Sequence, residues 1–363
     1  MKFLTLATLA GAVSALPSQS LVKRAAVSGS AEGYASGVTG GGNAKAVTPT
    51  TTAELIKYLG DPSPQVIILN KEFDFTGTEG SATDSGCAPW GTGSGCQTAI
   101  NKDNWCKNYQ PNAPTIAKIT YDKAGVQGIK VASDKTLIGE GSKGVIKGKG
   151  LRMAGVKNII IQNIMVTQIN PQYVWGGDGI TIAGGDKIWI DHVTTSEIGR
   201  QHIVLGEAAS GKVTISNSEI NGQSKWSATC DGNQYWGIYF TGSNDQITFK
   251  GNYVHHVSGR GPKVAGKTVL HAVNNYFGPS SDHEFEVASG SYVLAEGNYF
   301  DGVPTPIKEA DGAILARDNT MVNSGKFEGS NSAVEQQIKN AGTVAKADKP
   351  SANIKNSAGF GKL

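Results

Sequence analysis

The chain is constrained first of all by a repeat. Seven short segments, residues 158–166, 187–195, 212–220, 246–254, 268–277, 291–300 and 313–321, alternate apolar and polar residues with a similar text. Aligning Asn163, His192, Asn217, Gly251, Asn274, Gly297 and Asp318 gives steps of 29, 25, 34, 23, 23 and 21 residues. Periods of this size mean a solenoid or an array. Val, Ile, Thr and Tyr at period two favour strands, and the Gly and Asn between them favour turns, so a helical repeat does not fit. Propeller blades need about 40 to 45 residues, whereas units near 23 hold one turn of short strands. The expected architecture is an all-β parallel β-helix in a single domain, residues 25–363.

Each coil must bend the chain after its strand. The segments carry Gly251-Asn252-Tyr253, Asn274-Asn275-Tyr276, Gly297-Asn298-Tyr299 and Asp318-Asn319-Thr320 at that point. Asn tolerates the left-handed conformation, and Asn side chains stacked on successive coils can hydrogen-bond along the axis as a ladder. A solenoid must also close its ends. Two amphipathic helices are expected to do so, one opening on the capping box Thr51-x-x-Glu54 with Leu55, Ile56 and Leu59 and stopping at Gly60, the other on Ser332-x-x-Glu335 with Val334 and Ile338 and stopping at Gly342. Residues 73–111 lack a strand pattern and read as a long functional loop outside the coil, and residues 346–363 read as a surface tail.

Residues 1–15 have a basic start at Lys2, an apolar run and a small-residue end, the pattern of a secretory signal peptide. Residues 16–24 end in the dibasic pair Lys23-Arg24 and read as a pro-segment. Removing 1–24 takes away Lys2, Lys23 and Arg24 and no acid, so the formal charge of +3 falls to 0. That counts against nucleic acid and anionic membranes as partners. The expected product is a secreted, extracellular monomer. Cys87, Cys96, Cys106 and Cys230 are an even set in an exported chain and argue for two disulfides; their spacing is unlike that of zinc sites, and the sequence leaves three pairings open.

Three segments carry candidate chemistry: Trp175-Gly-Gly-Asp178, Ile198-Gly-Arg200-Gln-His202 and Ser258-Gly-Arg260-Gly-Pro262-Lys263. With coils in register, Asp178, Arg200, Arg260 and Lys263 fall on one face. Sugar rings present apolar faces, so Trp90, Trp105, Trp175, Tyr235, Trp236 and Tyr239 are candidate platforms, with one of the four Trp expected to be merely structural. Trp189, inside Ile-Trp-Ile, reads as core. The six histidines read as structural groups, with His202 the one nearest the proposed site.

These motifs, together with Trp189-Ile-Asp191-His192, Ser227-Ala-Thr-Cys230 and Leu270-His-Ala-Val-Asn-Asn275, resemble those of fungal pectin lyases in the pectate lyase superfamily, in the same order over residues 25–322. The resemblance implies a right-handed parallel β-helix that cuts methyl-esterified pectin by β-elimination. It implies Arg260 as the base that takes the C5 proton, although an ordinary Arg stays protonated; like charges from Arg200 and Lys263 in a dry cleft would favour its neutral form, or Arg260 instead stabilises the enolate. With the resemblance in hand, the expected pairing of the cysteines is Cys87–Cys106 and Cys96–Cys230. In the wider superfamily calcium is held by carboxylates at strand ends. By motif position Asp178 matches a retained acid, whereas Arg200 and Val204 stand where the other acids would be, so no metal and no cofactor is expected. The rival readings are a calcium-dependent pectate lyase, a polygalacturonase using paired carboxylates, for which Asp178, Asp191 and Asp231 are isolated acids, and a noncatalytic pectin-binding β-helix.

Overall fold

The computed structural model describes residues 26–363, so the signal peptide and pro-segment expected at 1–24 lie outside the described residues. Each repeat segment folds as strand, bend, strand: Lys157–Gln162 leads through Asn163 into Met165–Ile169, and Val269–Val273 through Asn274 into Tyr276–Phe277. Among the described residues the strands stack into three parallel sheets of ten, nine and eight strands, one strand per coil in each sheet. Parallel crossovers of this kind run right-handed, and the chain winds as a parallel β-helix.

The aligned residues share one conformation. Asn163, His192, Asn217, Gly251, Asn274, Gly297 and Asp318 all have positive φ, between 46° and 68°, which turns the chain sharply from the first sheet to the second. The ladder uses the next residue along. Asn252 donates to Asn275 at 3.0 Å, Asn275 to Asn298 at 2.9 Å and Asn298 to Asn319 at 3.0 Å, and each also donates to a backbone carbonyl. Bending and laddering are thus separate jobs of adjacent residues, because a side chain on the left-handed residue points away from the coil interior that its neighbour fills. Inside, single columns of like residues stack, such as Ile161, Ile190, Ile215 and Phe249, all fully buried.

The ends differ from the sequence expectation in four ways. Helix Thr52–Gly60 covers the first coil with Leu55 and Leu59, but Ile56 faces solvent. Thr51 accepts from the Glu54 amide at 3.1 Å as a capping box requires, while the Glu54 carboxylate turns back to Thr50 instead. Helix Ala333–Ala341 does not plug the far end: Val334 and Ile338 pack with Tyr34 and Leu294 on the outer face of the ten-stranded sheet. Its first amide is capped by Asn331 at 3.1 Å, not by Ser332. The far end is closed by Phe327, whose ring lies 4.9 Å from Phe285 and 5.5 Å from Phe300.

Residues 73–111 are also more ordered than expected. Strands Ser81–Cys87 and Thr98–Ile100 join Thr115–Asp122 and Tyr173–Val174 in a fourth, partly antiparallel sheet, followed by the short helix Trp105–Tyr109. Disulfides join Cys87 to Cys106 within this flap and Cys96 to Cys230 on the solenoid. The tail at 346–363 runs along the asparagine bends: the Asp348 amide donates to Asn274 at 2.8 Å, Gly359 to the Asn217 carbonyl at 2.7 Å and Gly361 to Asn163 at 2.7 Å. No helix among the described residues is long and apolar enough to cross a membrane.

Candidate active site

The turns that leave the second sheet and enter the third carry the candidate residues, and the flap rises beside them. On the third sheet the register aligns Arg152, Thr181, Val204, Tyr239, Lys263, Glu286 and Glu309 in one row, each a coil further along. Successive members are spaced by about 4.8 Å, the strand separation. Asp178, Arg200 and Arg260 sit just before the strands of this row, on the turns.

Two charged clusters result. In the first, Arg200 Nη1 lies 3.4 Å from Asp178 Oδ2, its guanidinium sits 4.1 Å from the Trp175 ring centre, and the Gln201 amide donates to Asp178 at 3.0 Å. In the second, Arg260 has φ 51° and its guanidinium lies 5.0, 5.0 and 4.9 Å from the rings of Tyr235, Trp236 and Tyr239. Lys263 donates to Glu286 at 2.8 Å, and Arg260 Nε lies 4.0 Å from the same carboxylate oxygen. Gly259 lets this turn lie flat, since a Cβ there would meet the Tyr235 ring at 2.6 Å.

The arrangement corrects one sequence expectation. The like charges expected around Arg260 are compensated: Arg200 is paired with Asp178, Lys263 still opposes Arg260 but is paired with Glu286, and the groups nearest Arg260 are an anion and three ring faces, all of which attract a cation. Burial pushes the Glu286 carboxyl up, but hydrogen bonds from His283 and Lys263 and the charges of Lys263 and Arg260 outweigh it and hold it down at about 2. Burial pulls Lys263 down, and the hydrogen bond and charge of Glu286 more than reverse that, leaving it raised.

A chain of rings joins the clusters. Centroid distances are 6.0 Å from Trp175 to Trp105, 6.3 Å from Trp105 to Trp90, 5.7 Å from Trp90 to Trp236 and 4.9 Å from Trp236 to Tyr235. Trp236 is the most enclosed of the four Trp, with Nε1 donating to Gln97 at 3.0 Å. Trp189 is enclosed elsewhere, under the N-terminal segment with Ala31 and Ala35. Sequence reasoning missed Tyr109, which stacks on Trp105 at 6.2 Å and is 70% exposed; the Trp-x-x-x-Tyr spacing on one helix face was its signal. It also missed Glu286, whose signal was a carboxylate at an apolar-periodic strand position one coil after Arg260.

The remaining acids stand apart. Asp191 is enclosed by hydrogen bonds from Ser216, Asn217 and Gln162 beneath the N-terminal segment, and Asp231 is held by Thr229 and Asn233. Asp178 is paired with the Arg200 guanidinium, a cation where calcium would need oxygens, so this donor set does not fit calcium, which takes six to eight oxygens. No group of three or more His, Cys, Asp or Glu suited to a metal occurs among the described residues.

Two buried titratable groups lie behind the site. His202 bonds to Thr195 at 2.9 Å, and burial pulls its pKa down to about 3. Glu284 is wholly enclosed behind the Arg260 turn, where a Cβ on Gly261 would meet it at 1.9 Å, and burial raises its pKa well above the carboxylate range. The signs oppose. Between pH 4.5 and 6.5, bracketed by the ordinary values of Glu and His, His202 is neutral when folded but protonated when unfolded, so its contribution grows with pH. Glu284, with its folded pKa raised, keeps its proton above the pH at which the unfolded side chain ionises, so its contribution is lost as pH rises toward that raised pKa. Each one-proton difference is worth about 1.4 kcal/mol per pH unit. Glu284→Gln is therefore expected to show stability rising with pH across this window and His202→Gln stability falling, with the parent flatter than both; urea unfolding at several pH values reads the slopes. Parallel slopes in all three proteins would refute the assignment.

A family model described as pectate lyase matches residues 110–359. Pectin lyase B of Emericella nidulans is 55% identical over 97% of this chain and 98% of its own length, and pectin lyase A of the same fungus is 61% identical over 82% of this chain and 79% of its own. Probable pectin lyase A of Aspergillus terreus is 54% identical over 95% and 96%. Among solved structures, a Bacillus pectate lyase in complex with trigalacturonate superposes with a TM-score of 0.61 at 19% identity, covering 91% of this chain and 99% of that one. A Paenibacillus pectate lyase gives 0.63 at 16% identity over 92% and 96%. At such identities the structures report the fold.

Proposed function

The chain belongs to the pectate lyase family, and from that premise we propose that it is a pectin lyase, an endo-acting enzyme that cleaves methyl-esterified galacturonan by β-elimination without a metal ion. One observation carries the choice of substrate: Arg200 stacks on Trp175 and pairs with Asp178 where a calcium ion would need oxygens. A site without a bridging cation has nothing to neutralise a uronate carboxylate. A methyl ester removes that charge and makes the C5 proton more acidic, so the elimination runs on the neutral polymer.

In this reading the chain of rings from Tyr109 to Tyr235 receives the apolar faces of consecutive sugars. Arg260 faces C5. The resemblance makes its neutral form the base: Arg260 takes the C5 proton and becomes the guanidinium, the form that the anion and ring faces around it favour and that stabilises the enolate left behind. The electron pair on C5 then forms the C4–C5 double bond as the C4–oxygen bond breaks, and the departing oxygen takes up a proton. Lys263 and Arg200 direct their donors to the ester carbonyl and neighbouring sugar oxygens. Two disulfides fit an exported protein. A hydrolase would need two carboxylates astride the glycosidic bond, and Asp178, Asp191 and Asp231 are not so arranged.

The test uses the mature protein on highly esterified and on fully de-esterified pectin, each with and without a chelator, following the ultraviolet absorbance of the conjugated double bond. Esterified pectin is expected to be cut at least about 10-fold faster, with chelator making no difference. Loss of activity on chelation, or preference for polygalacturonate, would refute the reading.

A further inference from the structure

We propose that Glu286 is a positioning residue for the elimination, screening Lys263 from Arg260 and fixing the direction in which the Arg260 guanidinium faces the cleft. The proposal rests on the pectin lyase reading and adds to it a residue that touches no substrate.

Glu286 stands on strand His283–Val287 in the outward row of the third sheet, between Lys263 and Glu309. An outward side chain on a solenoid is ordinarily solvated. This one is 3% exposed, because neighbouring groups close over it. Enclosing a carboxylate costs several kcal/mol unless it is paired and hydrogen-bonded. Here both oxygens are held: Tyr235 donates its hydroxyl to Oε1 at 3.0 Å, His283 Nε2 lies 2.9 Å from the same oxygen, and Lys263 donates to Oε2 at 2.8 Å. His283 is itself fixed by Asp282 at 2.9 Å from its Nδ1. The carboxylate is thus tethered from its own strand, from the turn before Ile238–Phe240 and from Lys263–Val264.

What this anchor does follows from what the rings cannot do. Three ring faces near 5 Å hold the centre of the Arg260 guanidinium, but attraction to a face sets distance and leaves rotation about the stacking axis open. Arg260 Nε is buried without a hydrogen-bond partner among the described residues and lies 4.0 Å from Glu286 Oε2. An anion on the Nε side turns the two Nη groups the other way, toward the open cleft. The same oxygen takes the Lys263 ammonium, so two neighbouring cations share one anion that outweighs their mutual repulsion. Removing the charge frees both at once, and a shift of about 1 Å in a reacting group costs on the order of 100-fold in rate.

The experiment compares Glu286→Gln and Glu286→Asp with the parent on highly esterified pectin. Gln keeps the shape and two hydrogen-bonding atoms but loses the charge; Asp keeps the charge on a shorter arm. For Glu286→Gln kcat is expected to fall roughly 10- to 100-fold with KM within about threefold, and Glu286→Asp to recover part of the loss. The pH profile supplies a readout that a packing role would not move. Lys263 faces Glu286, Glu309 and Arg260, with Tyr239 beside it in register; without the Glu286 charge it releases its proton sooner, so the alkaline limb of kcat moves to lower pH. Should the Gln variant not accumulate, Glu286→Asp is read the same way, against an unchanged kcat. A kcat within about twofold of the parent, or equal losses in both variants with an unmoved alkaline limb, overturns the proposal. Absence of unsaturated product from the parent itself overturns the lyase reading, and this inference with it.

Discussion

Arg260→Ala lowers kcat on esterified pectin by about 1000-fold or more, while affinity for esterified oligomers stays within about threefold. The split follows from the site's construction. Substrate rests on rings contributed by the flap and by the turns around Trp175 and Trp236, none of which needs Arg260 to stay in place: Trp236 is anchored through Gln97, and Trp105 is carried by a helix tied down by Cys87–Cys106. What disappears is the one cation enclosed by three aromatic faces and Glu286. Arg260 already occupies the left-handed region, so Ala inherits that conformation without adding strain, and rates are normalised to folded protein. Arg260→Lys is expected to remain far below the parent, because an ammonium lacks the planar fork that the ring box accommodates. Quenching of tryptophan fluorescence by esterified oligomers measures binding, and product absorbance measures turnover. A variant within about tenfold of parental kcat removes Arg260 from the chemistry.

Asn275→Ala is expected to be the most damaging single change to the scaffold, at about 3–5 kcal/mol. Asn275 accepts from the backbone amide and the side chain of Asn252 and donates to the Phe249 carbonyl and to Asn298, all in a dry interior. Truncation leaves those partners enclosed without their side-chain partner. The loss corresponds to roughly 10 °C in thermal midpoint. Asn323→Ala, on a surface bend at the far end, serves as the comparison and is expected to cost far less. Equal midpoints for the two variants would show that the ladder contributes nothing.

How much of this was legible depended on whether a residue's role is set by its own coil or by others. Asn163, His192, Asn217, Gly251, Asn274, Gly297 and Asp318 align in the text because every coil needs a left-handed residue at the same place, and all seven adopt one. The ladder was legible for the same reason, offset by one position. Strand Ser81–Cys87 was not, because it lies mostly exposed on the flap and therefore carries no alternation to read. Phe327 as the end plug was equally hidden: a lone aromatic after the last repeat acquires its role only when Phe285 and Phe300 are stacked beneath it. In the site, Asp178, Arg200, Arg260 and Lys263 stand in glycine-rich turns that draw the eye, but the sequence does not say that they separate into two ion-paired groups. Glu286 went unnoticed because its burial is supplied by Tyr235, Arg260 and Lys263, residues 51, 26 and 23 positions earlier in the chain.

The tail pinned at Asn274, Asn217 and Asn163 has a consequence for how the molecule comes apart. A stack in which each layer touches only its neighbours can fray from either extremity, one layer at a time. A backing strip fastened across the layers forbids that, since the last layers cannot peel away while the strip still grips the early ones. Amide exchange in the outermost strands should accordingly slow to the rate of the middle, and cutting the chain after Asp348 should restore the gradient.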